Sequence, residues 1–421
     1  MSKDLSFAGQ YVLDAIDWIQ PNGLALDIRE HMQQIIIYED MFATFMSGNV
    51  IMRDTLDIPN LYLNGGVDLL RLRIRTPSIP ESGIIDKYFH IYKIDEREVV
   101  SDRTQTYIMH IISKENILDQ ASKISRTFKG SAEEIADTVC KVYLQTDRKM
   151  ITDKSNNVIQ YTSNWWIPTR NLNYVAERAI GDGNLPSYVF FENRDGFNLR
   201  ELTAFADSKT PLMQEWSSNN YVADVSSSGS VIRDPNKDWK TVSEVNVKVN
   251  FDYMKDAEAG LLKTRSFTYD LITREFKDRT TSILDNELPM LNEQRFYQTP
   301  VVDTSGESLL TGFSHFDSYT GAGYNSSAVI NTHKRNVIMR AFQQHTLEIT
   351  VIGRTDYTVG KKVWFDSNKI RQFNKGSDKA EIPDNLLSGY FIVSAVRHLF
   401  TKDNKHQCKI ELMKDSIQKS T

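Results

Sequence analysis

Residues 38–59 read YEDMFATFMSGNVIMRDTLDIP and place a large amount of apolar and aromatic surface in one short run. A Ser-Gly-Asn break divides its apolar side chains into two groups: Tyr38, Met41, Phe42, Phe45 and Met46 before it, and Val50, Ile51 and Met52 after it. The second group has the composition of a β-strand. No residue pair in the run resembles catalytic machinery, so something other than chemistry has to explain it.

The whole chain has the composition of an ordinary globular protein. Its 421 residues are about three times the usual ~150-residue domain, which predicts two to four domains. The formal net charge of -5 gives no overall attraction for nucleic acid or an anionic membrane, although a local basic patch stays open. No apolar run approaches the ~18 residues that span a bilayer, and the N-terminus MSKDLSFAGQ lacks the features of a signal peptide. We therefore expect a protein made in a cytoplasm, with no membrane partner.

The cysteines and histidines do not form a recognisable site in the sequence. Cys140 and Cys408 are the only cysteines, which excludes a disulfide framework and a Cys-rich zinc site, and each is expected to be a small buried hydrophobe. The eight histidines lack metal-ligand spacing, and His398, in SAVRHLF, is expected to pack within a strand. No nucleophile elbow or phosphate-binding loop is present either. The sequence therefore predicts no catalytic, cofactor-binding or metal site.

The first hundred residues are rich in short strand-like runs separated by Gly, Pro and Asp, which suits a small barrel or sandwich. In LLRLRIR, apolar and basic residues alternate and face opposite sides of a strand: Leu70, Leu72 and Ile74 on one side, Arg71, Arg73 and Arg75 on the other. The basic side is either a solvated sheet face or a surface that meets carboxylates from this chain or a neighbour. Given the acidic overall balance, we prefer a protein partner to a nucleic acid.

The region from about 113 to 215 reads as a mixed α+β unit. Ser131 and Glu134 predict an N-terminal capping box, followed by an apolar helical stripe of Ile135, Val139, Val142 and Tyr143. A second helix is predicted to begin at Asn171, to face inward through Leu172, Val175, Ala176 and Ala179, and to end with Gly181 as its C-cap. An Asp195-Gly196 turn then predicts a β-hairpin.

The remaining chain returns to strands. Residues 221–238 read as a linker or exposed loop, and the pattern of valines after Lys240 predicts a bulge or a change of register. The polar stretch 277–335 reads as a surface insertion. Alternating strands from 347 to the C-terminus predict a second small barrel.

These sequence patterns give little support for an enzyme. Glu39 and Asp40 are adjacent and would face opposite ways on a strand, which is unsuitable for shared acid–base work. Trp165 and Trp166 suit core or subunit-interface packing better than a sugar-stacking platform. A cell-wall or polysaccharide hydrolase that brings carboxylates together from distant parts of the chain stays open as the alternative.

The order of several short motifs resembles the baseplate hub proteins of contractile (myovirus) phage tails, the family of the T-even phage hub. The motifs cover most of the chain and come in that family's order: YEDMF with SGNVIMRDTLDIP, DLLRLRIRTP, YIMHIISKENILDQASKISRTFKGSAEEIADTV, SYVFFENRDGFNLREL, LLKTRSFTYDLITREF and LSGYFIVSAVRHLF. Residues 277–335 depart most from the pattern. The type VI secretion spike proteins share the two-barrel plan and are a related alternative.

The resemblance implies a mainly β fold with an α+β insertion, in which two small tube-like β-barrels flank an inserted α+β domain. The expected domains are 1–112 for the first barrel, 113–235 for the insertion, and 236–276 with 336–421 for the second barrel. Residues 277–335 are expected to pack, as a surface insertion, against the inserted domain.

The resemblance also implies a structural, non-enzymatic function in the virion tail baseplate, with assembly in the host cytoplasm. The chain would form a homotrimer that adapts the six-fold tail tube to a three-fold central spike. The spike would dock below, tail tube or tube-initiator proteins and the tape-measure protein above, and DNA would pass through the channel without specific binding. We expect YEDMFATFM to pack within the first barrel and against a neighbouring subunit. The candidate interface residues are Arg71, Arg73, Arg75, Phe42 and Phe45.

Overall fold

The computed structural model describes residues 7–63, 67–218, 224–225, 231–232, 238–249, 251–269, 274, 276–284, 288–297, 308–313, 326–367 and 384–419. The fold is mainly β with α+β elements, as the sequence predicts, and a single large sheet of 13 strands runs through it. Three hydrophobic cores organise the described part of the chain.

The first part of the chain contributes one half of the large sheet. Its strands are β1 (Val12–Ile19), β2 (Ala25–Asp27), β3 (Met32–Asp40), β4 (Ser47–Asp54), β5 (Leu69–Arg75), β6 (Ile85–Ser101) and β7 (Thr104–Ser113), with the short helix α1 (Ile58–Tyr62). They lie side by side in the order β3-β4-β7-β6-β5-β1-β2. Their inward side chains, among them Trp18, Ile35, Val50, Leu72 and Phe89, form the first core.

The middle part packs short helices on small sheets. Its helices are α2 (Glu115–Ala121), α3 (Ala132–Thr138) and α4 (Pro168–Arg178), and its strands are β8 (Ile124–Gly130), β9 (Met150–Thr152), β10 (Ile159–Trp166), β11 (Tyr188–Asn193) and β12 (Gly196–Glu201). β8 pairs with β10, and β11, β12 and β9 form a three-stranded sheet. The middle core lies between these elements and includes Ile135, Leu172, Val175, Phe190 and Phe197.

The last part completes the large sheet. Its strands are β13 (Leu212–Ser217), β14 (Asp224–Val225), β15 (Val231–Ile232), β16 (Val242–Val249), β17 (Thr264–Tyr269), β18 (Phe276–Thr281), β19 (Ser308–Phe313), β20 (His345–Ile352), β21 (Lys362–Asp366), β22 (Gly389–Thr401) and β23 (Lys405–Lys414). Two helices, Tyr253–Glu258 and Ser326–Phe342, lie between them. The second core forms around β20 to β23 and includes Ile349, Val363, Phe391 and Ile410.

Pairing of β22 with β3 joins the two halves of the sheet. The long hairpin β22–β23 contributes to both halves, since Phe400 lies in the first core and Cys408 in the second. The expected division into domains 1–112, 113–235 and the remainder stays a prediction, which limited proteolysis would test. In the stretch 277–335, the described residues include part of β18, all of β19 and the start of the helix Ser326–Phe342. Arg335 of that helix donates to the Tyr188 carbonyl at 2.6 Å, which ties it to β11.

Local predictions in the middle part are largely confirmed. The capping box of Ser131 and Glu134 is present, and the Asp195-Gly196 turn joins β11 to β12. Val142 is wrongly placed on the buried stripe: it is 56% exposed, because the chain passes from α3 into a π-helical turn at Val139–Tyr143, which rotates the following side chains.

The predictions for the second helix and for the strand after Lys240 can also be compared with the structure. α4 begins at Pro168 and not at Asn171, since proline suits the first turn of a helix. Gly181 is not its C-cap, because the helix ends at Arg178 and Ala179 is the C-cap, in an extended conformation. The register of β16 shifts after Val242 as expected. Most of the predicted linker 221–238 lies outside the described residues.

Candidate interaction surface and core junction

Residues 41–46 lie where all three cores meet. The strand β3 ends at Asp40, and the chain turns before β4, so successive side chains point in different directions. Met41 is fully buried in the second core and Met46 in the first, while Phe45 packs on the middle core with its ring 6.2 Å from that of Phe197. The prediction that this run packs within the first barrel holds for Met46 but not for Met41 or Phe45, and its contact with a neighbouring subunit stays a prediction. The run is rich in apolar side chains because this one turn contributes side chains to three hydrophobic cores.

Of the two aromatic residues proposed for an interface, only one is open to solvent. Phe42 is 49% exposed, and its backbone N–H is held by the Asp40 carboxylate at 2.8 Å. Phe45 is partly buried against the middle core. Phe42 therefore has a surface free for a partner, whereas Phe45 already serves the fold.

Glu39 connects this junction to the last part of the chain. Its carboxyl group is buried and accepts hydrogen bonds from the Thr358 hydroxyl and, at 3.2 Å, from the Val359 backbone N–H. Burial raises the pKa of Glu39, and these two hydrogen bonds only partly oppose the rise. Glu39 therefore acts as a buried connector between β3 and the loop before β21.

A second buried acid, Glu192, joins the first and middle cores. It forms ion pairs with Lys87 of β6 and, at 3.0 Å, with Arg148. Its other oxygen accepts from the Ser113 hydroxyl and, at 3.0 Å, from the Met46 backbone N–H. The carboxylate is thus contacted from two strands of the first core and from the turn at the junction.

The charges at this centre depend on one another. Burial by itself disfavours the Glu192 carboxylate, but Lys87, Arg148 and the hydrogen bonds outweigh it and hold the pKa of Glu192 below its ordinary value. Burial lowers the pKa of Lys87 to about 8, and Glu192 offsets part of that effect. Buried pairs of this type contribute little net stability but are costly to break. This centre connects the middle part of the chain to two strands of the first core.

The row of arginines on β5 faces outward as predicted, and its partners within this chain are now visible. Leu70, Leu72 and Ile74 are buried on the other side. Arg75 binds Asp14 of β1 at 3.0 Å, Arg71 binds Asp86 of β6 at 3.2 Å, and Arg73 lies between both acids at 3.8 and 3.3 Å.

This row is a surface network on the sheet and not a bare basic patch. The three arginine side chains are 30–41% exposed, and Arg71 also lies 5.7 Å from the centre of the Tyr88 ring. Because two carboxylates of the same chain partly neutralise it, the attraction for an acidic partner is weaker than the sequence alone implies. Contact of this face with another subunit stays a prediction.

A stronger candidate surface, which the sequence did not reveal, is the outer half of β6. β5 pairs with β6 only as far as His90, and among the described residues no strand pairs with that side of β6 beyond Ile91. This edge carries Tyr92, Val99 and Val100, which are 54%, 71% and 56% exposed. An exposed strand edge with apolar side chains favours pairing with another chain.

The paired tryptophans lie on the middle part in different surroundings. Trp165 sits at a bulge of β10 with a φ of 55° and is 67% exposed. Trp166 stacks with Tyr161 and lies below Arg170 at 4.5 Å. The shallow groove beside Trp166 is lined by one carboxylate, Glu177, whereas glycoside hydrolysis ordinarily uses two. In the described residues this groove therefore favours binding or packing over catalysis.

The two cysteines are both buried, as the sequence predicts, but one has unexpected neighbours. Cys140 lies in the middle core. Cys408 lies beside His398 and His406, and the three side chains could together hold a metal ion. Sequence spacing could have suggested only the His406-x-Cys408 pair, since His398 comes from the paired strand.

Among the described helices, none combines the length and the apolar character needed to cross a bilayer. No family model matches the chain, and no curated protein matches it.

Two solved structures have a fold similar to that of this chain. A tail protein from Neisseria meningitidis MC58 superposes with a TM-score of 0.58 at 12% identity, covering 96% of this chain and 97% of that one. The 43 kDa tail protein of prophage MuSo2 from Shewanella oneidensis superposes with a TM-score of 0.55 at 10% identity, covering 97% and 99%. The resemblance to phage tail proteins is thereby confirmed for the fold, and the chain shares the architecture of these two tail proteins over almost its whole length.

Proposed function

We propose that this chain is a structural protein of a phage-type tail, and that it forms the homotrimeric hub of the baseplate. The observation that carries the proposal is the agreement in fold with two tail proteins over at least 96% of this chain. The sequence motifs quoted above, in the order of the hub family, support it independently. The hub would adapt the six-fold tail tube to a three-fold spike and would have no enzymatic activity of its own.

The exposed edge of β6 is the surface that best suits contact between subunits. It offers unpaired backbone groups and three exposed apolar side chains, Tyr92, Val99 and Val100. Strand pairing across such an edge would satisfy the backbone and cover part of these side chains, with Val99 and Val100 on opposite faces. Phe42 and the arginines of β5 are the second candidates for contact with a subunit or another tail protein.

The other partners follow from the hub assignment. A central spike would bind on one side of the ring, and tail tube or tube-initiator proteins and the tape-measure protein on the other. The net charge of -5 gives the chain no overall attraction for phosphate groups, which suits a channel through which DNA passes without specific binding. The protein would reside in the virion tail after assembly in the host cytoplasm.

Light scattering of the purified chain tests the oligomeric state. A trimer has three times the 48.4 kDa of one chain, about 145 kDa. The double variant V99E/V100E should shift the mass toward one chain, because it places charges on the proposed edge. The matched control V142E/V158E adds the same charges at two exposed valines of the middle part and should leave the mass unchanged.

The outcomes separate two claims. A wild-type protein that stays monomeric at the highest soluble concentration would contradict the homotrimeric hub. A trimer that both double variants leave intact would contradict only the role of the β6 edge. Circular dichroism of each variant checks that the strands are still folded.

A further inference from the structure

Three potential metal ligands converge on one face of the hairpin β22–β23. His398 of β22 lies directly opposite Cys408 of β23 in the antiparallel register. His406 precedes Cys408 by two residues, and residues two apart on a strand face the same side. All three side chains are buried, with at most 3% exposure.

The ligand atoms form a nearly equilateral triangle. His398 Nδ1 lies 3.1 Å from His406 Nε2 and 3.2 Å from Cys408 Sγ, and the remaining side, from Cys408 Sγ to His406 Nε2, measures 3.3 Å. Tetrahedral zinc with Zn–N bonds of about 2.0–2.1 Å and a Zn–S bond of about 2.3 Å separates its ligand atoms by roughly 3.3–3.6 Å. The three side chains thus need to move apart by only a few tenths of an ångström.

The hydrogen bonding of the His398 ring also suits metal binding. His398 Nε2 faces the Tyr357 carbonyl at 3.1 Å, and because a carbonyl can only accept, Nε2 carries the proton and Nδ1 directs a lone pair into the triangle. A carbonyl behind a histidine ligand is the usual arrangement that fixes its orientation at a metal.

We propose that His398, His406 and Cys408 form a binding site for one Zn²⁺ ion. The two imidazoles bind through His398 Nδ1 and His406 Nε2, and the Cys408 thiol binds as a thiolate after releasing its proton to solvent. Two nitrogens and one sulfur are a ligand set that zinc accepts, with the fourth position left to water. The alternative is a metal-free triad in which the same three groups only share hydrogen bonds.

The surroundings leave space for His406 and would give the ion a structural role. A surface cleft lined by Phe7, Gly9, Leu399 and Lys405 reaches His406. Gly353 leaves room for the His406 ring, since a Cβ at that position would collide with it. The site would clip β22 to β23 near the place where Phe400 of the first core and Cys408 of the second core meet.

Metal titration of the whole chain tests the site. Protein stripped with a chelator is titrated with Co²⁺, which reports tetrahedral geometry and a thiolate ligand through its visible and near-ultraviolet absorption. We expect about one Co²⁺ per chain, displacement by Zn²⁺, and a higher Tm with Zn²⁺ than without it, because a ligand that binds only the folded state stabilises it. Cys408→Ala should lose the charge-transfer band and the rise in Tm.

The second cysteine provides the matched control. Cys140 is also buried but lies in the middle core, so Cys140→Ala should retain both signals. Titrations of the wild type and of Cys140→Ala still test the proposed zinc site if Cys408→Ala does not fold. Absence of the thiolate band in the wild type, or its loss in Cys140→Ala, would overturn the proposal. Equal metal uptake by folded Cys408→Ala would overturn it as well.

Discussion

Replacement of Glu192 by glutamine removes the negative charge that Lys87 and Arg148 contact at the buried centre between the first and middle cores. Removing one partner of a buried ion pair costs about 3–5 kcal/mol, since the remaining charge loses its compensation. Lys87 can release its proton, because burial already lowers its pKa to about 8, and this limits the loss. We therefore expect the low end of that range, about 3 kcal/mol.

The cost should be visible as a change in thermal stability. For a cooperative unit of 150–250 residues, each kcal/mol shifts Tm by about 2–4 °C, so the variant should unfold about 6–12 °C lower. The measurement is differential scanning calorimetry at one fixed protein concentration. Glu215→Gln makes the same substitution in an exposed pair with Lys240, where the contribution is only about 0–1 kcal/mol.

The dependence on pH gives an independent readout. The folded protein holds the pKa of Glu192 below its ordinary value, so its stabilising contribution is complete above that ordinary value and is lost as the pH falls through the folded value. Glu192→Gln should therefore show a shallower decline of Tm in acid than the wild type. If Glu192→Gln were as mild as Glu215→Gln, or lost stability in acid as steeply as the wild type, the assignment of this centre would be refuted.

Three further experiments, with five substitutions in all, test the junction and the glycine turns. Met41→Ala should lower the free energy of unfolding by about 2–5 kcal/mol, because Met41 is fully buried. Phe42→Ala should change it by less than about 0.5 kcal/mol. Urea denaturation measures both. Gly196→Ala should lower the free energy of unfolding by about 2–3 kcal/mol, since φ is 145° and a Cβ would collide with the backbone. Gly23→Ala, at a φ of 85° in open space, should lower it by only about 1 kcal/mol. Equal losses of stability in the two variants would contradict this reasoning. The Tm of Glu39→Gln should rise relative to that of the wild type as the pH rises above the ordinary glutamate range. The reason is that residue 39 of the wild type then ionises in the unfolded state but not in the folded state. A difference in Tm that does not change with pH would show that Glu39 is charged in the folded protein.

The local elements were largely readable from sequence because their signals are short in range. Alternation in LLRLRIR gave the buried and exposed sides of β5, and the capping box marked the start of α3. Val142 was misplaced because nothing in the local pattern marks a π-helical turn. Phe45 packs partly against the middle core, which the local pattern did not indicate, and its role at an interface stays a prediction.

The candidate surfaces were only partly accessible to sequence reasoning. The basic side of β5 was predicted, but its neutralisation by Asp14 and Asp86 depends on which strands flank β5. The free edge of β6 depends on where its pairing with β5 stops, and strand pairing is a non-local property. The cluster of His398, His406 and Cys408 likewise requires the register of β22 against β23.

The sequence by itself determined the strand-rich character, the α+β stretch between strand-rich regions and the hairpin at Asp195-Gly196, because periodicity and turn chemistry act between near neighbours. Only the tertiary structure decided that residues 41–46 serve three cores and that Glu192 is neutralised by Lys87 and Arg148. Those contacts join residues far apart in the chain, and the burial that sets their energies exists only once the sheet has brought them together.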